Sequence, residues 1–335
     1  MVRESLARKF HPAGFEQPED RRGYSVSDRL NRIFYQWVDG LGTGAGQEED
    51  YKRALDAIKD FEQIPSSEAT SLLVGFKKRK NYDDKVGLFI SACYTKAPED
   101  VIVFDQNAEY ISFIGYRLRD KILINEGSVG PHFAMKSACT VINNGNSDLS
   151  FARASSGLVI NNGHTENFFA ESSSGTVINN SEAGDHSGEH CEGLVINNGK
   201  MGTQAGFKAG LSSTFINNGL VSSLFCYESR GLVIFNSRLT GYVMGGISKS
   251  KGAVVSTKVL PFESDDERVF LDPGNLKNID ELESYLSNLK KQTEIIRDPE
   301  TAREFLKFYG SVPKEKIRQD IEEIIAKNGF TLYES

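Results

Sequence analysis

A ten-residue stretch near the middle of the chain gathers side chains that can bind metals or move protons. It reads Gly-Asp-His-Ser-Gly-Glu-His-Cys-Glu-Gly over residues 184–193. Imidazole, thiolate and carboxylate groups are common metal ligands, so Asp185, His186 and His190 are candidate ligands of a metal ion. The stretch falls within a repeated coil, where the four-residue spacing of the two histidines does not by itself bring them together. A solvated turn and strand is the simpler interpretation.

A second candidate site follows from the repeat itself. Glu171 and Glu189 occupy equivalent places in adjacent coils. Two carboxylates about 5 Å apart suit a retaining glycosidase, so these residues are candidate catalytic groups of a carbohydrate-active enzyme. They share one predicted outward column with four other residues. The column is Met135, Arg153, Glu171, Glu189, Ala209 and Tyr227. Because an arginine precedes the two carboxylates, a plain solvated face is the simpler interpretation of the column.

The element that must position these residues is a repeat that runs from about residue 121 to residue 257. An asparagine that ends a short Val-Ile run recurs at steps of 18, 18, 18, 18 and 20 residues. These asparagines are Asn125, Asn143, Asn161, Asn179, Asn197 and Asn217. A short fixed period is typical of a solenoid, and Val-Ile followed by Asn-Asn-Gly indicates a strand and a turn. We therefore predict a mainly β fold, a right-handed parallel β-helix with coils of about 18 residues.

Stacking explains the repeated residues without any ligand. Equivalent side chains of neighbouring coils lie about 4.8 Å apart, so the asparagines can pass amide hydrogen bonds along the column. A second predicted ladder fills the core. It comprises Phe133, Phe151, Phe169, Ser187, Phe207 and Phe225. Four glycines that follow the asparagines suit a turn with positive φ. They are Gly145, Gly163, Gly199 and Gly219.

Helical periodicity flanks the repeat on both sides and divides the chain into four parts. Residues 1–25 are polar and predict a flexible arm, and residues 26–98 predict a small helical unit. The β-helix then occupies residues 99–260. Residues 261–335 predict three helices, which either close the open end of the β-helix or dock on a partner subunit.

Composition narrows the functional classes. The chain has 335 residues and a net charge of −7, which argues against nucleic acid or an anionic membrane as the main partner. No cofactor-binding fingerprint is present, so no cofactor is expected. The four cysteines form no C-x-x-C pair and are expected to be buried. No signal peptide or long apolar run is visible, and we expect a cytoplasmic protein.

Residues 184–219 resemble a known β-helix. The run of residues 184–199, followed by Gly202 and by Gly-Phe-Lys-Ala-Gly-Leu-Ser-Ser over residues 206–213, is similar to the glycine-rich β-helix of the glutamate synthase large subunit. The same domain type forms a subunit of formylmethanofuran dehydrogenase. The resemblance implies the spacer and scaffold role of that domain. The catalytic residues of those enzymes have no counterparts in this sequence.

These observations favour a non-catalytic scaffold or protein-interaction module over an enzyme. The predicted partner is another protein, or further copies of the same chain. The alternatives are a carbohydrate-active enzyme that uses Glu171 and Glu189, and a metal site around His186 and His190.

Overall fold

The computed structural model describes residues 25–40, 46–76, 83–237, 252–258, 270–271, 276 and 278–330. The arm predicted over residues 1–25 lies outside them except for Ser25. Within these ranges, four helices precede the repeat: α1 (Val26–Asp39), α2 (Gln47–Ala57), α3 (Ser66–Phe76) and α4 (Asp83–Thr95). Three helices of the described residues follow it: α5 (Ile279–Glu294), α6 (Pro299–Tyr309) and α7 (Pro313–Lys327). Among the described residues, no helix is both long and apolar enough to cross a membrane.

The repeat forms a parallel β-solenoid, as the sequence predicts. Each regular coil contributes one strand to a ten-stranded sheet and a two-residue strand to a seven-stranded sheet, and all pairs are parallel. The first sheet contains β1 (Val101–Phe104), β3 (Arg119–Asn125), β5 (Ala138–Asn143), β7 (Leu158–Asn161), β9 (Thr176–Asn179), β11 (Leu194–Asn197), β13 (Thr214–Asn217), β15 (Leu232–Phe235), β16 (Val254–Ser256) and β17 (Phe270–Leu271). The second contains β2 (Asn107–Ala108), β4 (Ser128–Val129), β6 (Asn146–Ser147), β8 (His164–Thr165), β10 (Glu182–Ala183), β12 (Lys200–Met201) and β14 (Leu220–Val221).

A third side closes each coil with a six-residue turn segment. The segments cover residues 131–136, 149–154, 167–172, 185–190, 203–208 and 223–228. The second, fourth and sixth residues of every segment have positive φ, and most of them are not glycine. Such residues cost about 1–2 kcal/mol each. Hydrogen bonds between coils offset this cost, as where Ala152 N donates to Phe133 O at 2.8 Å. We call this surface the third side.

The predicted asparagine column is a buried hydrogen-bonded ladder, which we call the inner ladder. Its six residues are the asparagines predicted from the repeat, from Asn125 to Asn217. Each is at most 1% exposed, and each Nδ2 donates to Oδ1 of the next asparagine at 2.7–2.9 Å. The last, Asn217, donates instead to Ser237 Oγ at 2.8 Å. The ladder therefore satisfies its own amides, and its role is structural.

The four glycines after the asparagines were expected to need positive φ, and that expectation is wrong. None of them has positive φ. Instead, a β-carbon at Gly163 would lie 1.8 Å from the carbonyl oxygen of Gly145, and one at Gly145 would lie 1.9 Å from that of Gly127. Glycine is therefore present because the backbones of neighbouring coils approach closely.

The predicted phenylalanine ladder is confirmed in four coils and wrong in one. Phe133, Phe151, Phe169 and Phe225 are at most 1% exposed, and the first three stack at 5.7 and 5.8 Å between ring centroids. Phe207 lies on the outer surface instead, because the two extra residues of the long coil fall after residue 208. The interior positions of the two middle coils hold Ser187 and Ala205.

Phe215 fills the interior volume that these two small residues leave. It occupies a position that is valine in the three preceding coils, and it is 1% exposed. A β-carbon added at Gly206 would lie 2.9 Å from the Phe215 ring, and one at Gly188 would lie 3.2 Å from it. In this coil the aromatic residue is therefore on the strand and not in the turn segment, and its ring keeps the core closely packed.

The N-terminal helices share one hydrophobic core with the solenoid interior. Ser91 on α4 donates its Oγ to Phe113 O at 2.7 Å and accepts from Tyr116 N at 3.1 Å. A β-carbon at Gly87, on the same helix, would lie 1.7 Å from Ser112 O. The helix therefore packs backbone against backbone on the first coils, which leaves no room for a side chain at this position.

Replacing Gly87 by alanine is expected to lower the free energy of unfolding by about 3 kcal/mol, because α4 must move away from the coil to accommodate the methyl group. Urea denaturation followed by circular dichroism measures this. Gly46→Ala is the control, since a β-carbon at Gly46 meets nothing within 4 Å. Equal changes in the two variants would contradict this account of the contact.

The C-terminal helices lie along the side of the solenoid, whereas the sequence suggested an end cap or a partner contact. The outward isoleucines of the ten-stranded sheet share a core with the apolar residues of α5, α6 and α7. A second set of asparagines, which we call the outer ladder, joins the two. It comprises Asn144, Asn162, Asn180, Asn198, Asn218 and Asn236. Each member from Asn162 onward donates Nδ2 to Oδ1 of the preceding one at 2.8–3.1 Å.

The outer ladder also binds the C-terminal end of α5. Asn180 Nδ2 donates to Thr293 O, Asn162 Nδ2 to Ile296 O and Asn144 Nδ2 to Arg297 O, each at 2.8 Å. The last carbonyl groups of a helix have no partner within the helix. The ladder amides therefore bind Ile296 O and Arg297 O just after the helix, and they add a further donor to Thr293 O, which also accepts from Ile296 N at 3.4 Å.

Candidate functional site

The two candidate catalytic glutamates lie next to each other on the third side, as the repeat predicts. Ala154 N donates to Glu171 O, and Ser172 N donates to Glu189 O, each at 2.7 Å, so the two residues occupy equivalent positions in neighbouring coils. Their side chains are only 12% and 13% exposed. The third side therefore brings the two residues together but covers most of both carboxylates.

Each carboxylate has its own partner. Glu171 Oε1 accepts from an Arg153 guanidinium nitrogen at 2.9 Å. Glu189 lies between two histidines, with Oε2 2.8 Å from His186 Nδ1 and Oε1 3.3 Å from His190 Nε2. A retaining glycosidase needs a nucleophile that the substrate can reach, whereas both carboxylates are mostly covered and already paired.

The five residues of the candidate catalytic and metal sites have different roles in the coil. Asp185 Oδ1 accepts from Thr203 N in the next coil at 2.7 Å, as Asn167 Oδ1 accepts from Asp185 N at 2.9 Å one coil earlier. Asp185 therefore bridges coils. The His186 ring stacks on Phe168 at 5.0 Å, while the His190 side chain is 48% exposed. Over the described ranges, no group of three or more His, Cys, Asp and Glu side chains is placed to hold a metal ion.

An aromatic stack on the third side was missed by sequence reasoning. Phe207 and Tyr227 stack at 5.8 Å between ring centroids, and Lys208 Nζ lies 4.8 Å from the centre of the Phe207 ring. Phe207 occupies the column of Glu189, because His190 N donates to Phe207 O. Counting 18 residues from Glu189 would have found it. Ala209, which the sequence placed in this column, is fully buried.

Concave surfaces lie elsewhere on the molecule. A groove of about 340 Å³ between the ten-stranded sheet and α6 is lined by Asp100, Asp120 and Arg303 among others. Another, of about 610 Å³, lies beside the Asn-Gly turns. Neither groove includes Glu171 or Glu189.

The fold is that of a parallel β-solenoid with asparagine ladders. Comparison with protein-family models, curated proteins and solved structures gives no match.

Proposed function

We propose that the protein is a non-catalytic β-solenoid scaffold that holds a protein partner in a larger assembly. The observation that carries this proposal is that the side chains best suited to catalysis form ion pairs and hydrogen bonds with each other. Glu171 is paired with Arg153, and Glu189 with His186 and His190, so the groups best suited to chemistry are occupied by one another.

Rigidity supports the same role. Two asparagine ladders and a continuous apolar interior hold the coils in register. The chain covers one sheet with its own C-terminal helices and packs its N-terminal helices on the first coils. What it leaves exposed is a fixed surface with regularly spaced side chains, as in solenoids that bind other proteins. The resemblance to the β-helix of glutamate synthase supports a spacer role within an assembly.

Affinity capture of the tagged full chain from its source cells, followed by native mass spectrometry, tests the proposal. We expect a stable complex of fixed stoichiometry. The double variant Glu171→Gln and Glu189→Gln should recover the same complex in the same ratio, because neither carboxylate is assigned to docking. Recovery of the chain alone would contradict the proposal.

A further inference from the structure

The last two rungs of the outer ladder have hydrogen-bond donors to spare. Asn198 uses both amide hydrogens, on Asn180 Oδ1 and Thr293 Oγ1. Asn218 and Asn236 each use one, on the preceding rung at 2.9 and 3.1 Å. Within the part of the chain that the structure describes, their second hydrogens have no acceptor. Asn218 is 9% exposed, and its second amide hydrogen is available to an acceptor in the groove that it lines.

Asn218 lines the groove of about 610 Å³ beside the Asn-Gly turns, and Asn236 is the next rung of the ladder beside it. Its described lining residues are Ser181, Glu182, Asn198, Gly199, Lys200, Asn218, Gly219, Leu220, Ser237 and Lys290. Lys290 projects from α5, and Leu220 on the opposite side is 69% exposed. The groove therefore combines an amide donor, two ammonium groups, the Glu182 carboxylate and an exposed apolar side chain.

The same ladder already shows which chemistry its amides bind. At three earlier rungs, each outer-ladder amide donates to a backbone carbonyl oxygen at the C-terminal end of α5. The last two rungs continue that interface with the same side chain at the same spacing. An extended polypeptide can present carbonyl oxygens to successive rungs, as residues 296 and 297 do.

The two lysines of the groove favour a polypeptide with acidic side chains. Lys200 pairs with Glu182 at 2.7 Å and Lys290 with Glu294 at 3.6 Å, and both pairs are substantially exposed. Exposed pairs of this kind are weak, contributing about 0–1 kcal/mol, so both ammonium groups can exchange partners. Acidic side chains on a bound segment would pair with them.

We propose that this groove binds an extended acidic peptide segment of the partner protein, with carbonyl oxygens on Asn218 in the groove and on Asn236 at the next rung, and with carboxylates on Lys200 and Lys290. The inference rests on the proposed scaffold function and deepens it, because it assigns a docking site and the chemistry of the segment that fills it.

The test measures binding of a fluorescein-labelled Gly-Glu repeat peptide to the full chain by fluorescence anisotropy. A Gly-Lys peptide of the same length is the probe control. Lys290→Glu should weaken binding by about tenfold or more, because it places a carboxylate in the groove. Lys291→Glu makes the same charge change on the next residue of α5, which does not line the groove, and should change binding less than about twofold. Asn218→Asp, checked for an unchanged circular dichroism spectrum, should also weaken binding.

Absence of binding by the Gly-Glu peptide up to millimolar concentration would overturn the inference. So would equal losses in Lys290→Glu and Lys291→Glu, which would indicate general charge attraction. If affinity capture recovers a partner that Lys290→Glu does not release, the groove is wrong and the scaffold stands. If the peptide binds with the expected selectivity but the full chain captures no protein, the scaffold proposal fails on its own.

Discussion

Replacing Phe215 by alanine is expected to lower the free energy of unfolding by about 3–5 kcal/mol, the usual cost of deleting a buried aromatic ring. The ring is 1% exposed and occupies the volume beside Gly188 and Gly206. Ser187 and Ala205, the interior residues of these two coils, are too small to fill the void. Chemical denaturation monitored by circular dichroism measures the change.

A compensating exchange tests the reason for the effect. Phe215→Val restores the residue of the preceding coils but leaves the interior short of volume, so it should still destabilise the fold. Ala205→Phe alone should overpack the core against the Phe215 ring. The double variant returns both positions to the repeat pattern and should be more stable than the sum of the single changes predicts. Additive effects would show that Phe215 does not fill this space.

The second large effect is expected at the inner ladder. Asn179→Ala removes one of the two acceptors of Asn161 Nδ2, which keeps only Glu182 O, and leaves Asn197 Oδ1 without its donor, deep inside the solenoid. Each unpaired buried group costs about 1–3 kcal/mol, so we expect a loss of roughly 2–6 kcal/mol, read from the denaturation midpoint.

The matched control is Asn236→Ala in the outer ladder. Asn236 is half-buried, donates one ladder bond to Asn218 Oδ1 and accepts one from Thr257 Oγ1, and its loss is expected to cost about 1–2 kcal/mol. Similar losses in the two variants would mean that the inner ladder does not hold the coils together.

The sequence predicted the solenoid because one signal recurs with little variation. Asparagine ends each regular strand from Asn125 to Asn217, and the strands pair in register at those residues. The helices on both sides were also predictable, since their apolar spacing and boundaries are local features. Asp298 followed by Pro299, for example, predicts a helix start, and Asp298 caps α6.

The third side could not be predicted from residue types. Its left-handed positions hold residues such as Ala152, Ala170 and Lys136, which carry no signature of positive φ. Hydrogen bonds between coils impose that conformation, and they appear only when the coils stack. Phe207 was misplaced for a related reason, because the spacing alone does not say where in the long coil the two extra residues lie.

The candidate site was predictable in position but not in contacts. The period placed Glu171 beside Glu189, while the pairing of Glu189 with His186 and His190 depends on side-chain directions within one turn segment. The contact of α5 with the outer ladder could not be predicted from the sequence either, since each Asn-Asn pair is typical of a simple turn. The second asparagine of the pairs from Asn144 to Asn198 binds residues more than 90 positions away along the chain.

Reciprocal affinity capture tests the scaffold role most directly. The protein recovered with this chain is tagged in turn, and the complex is purified from the source cells through that partner and weighed by native mass spectrometry. The scaffold account predicts that this 37.1 kDa chain is recovered in the same fixed ratio from both directions. Recovery of the chain only as an isolated monomer, or in a ratio that varies with the direction of capture, would contradict it.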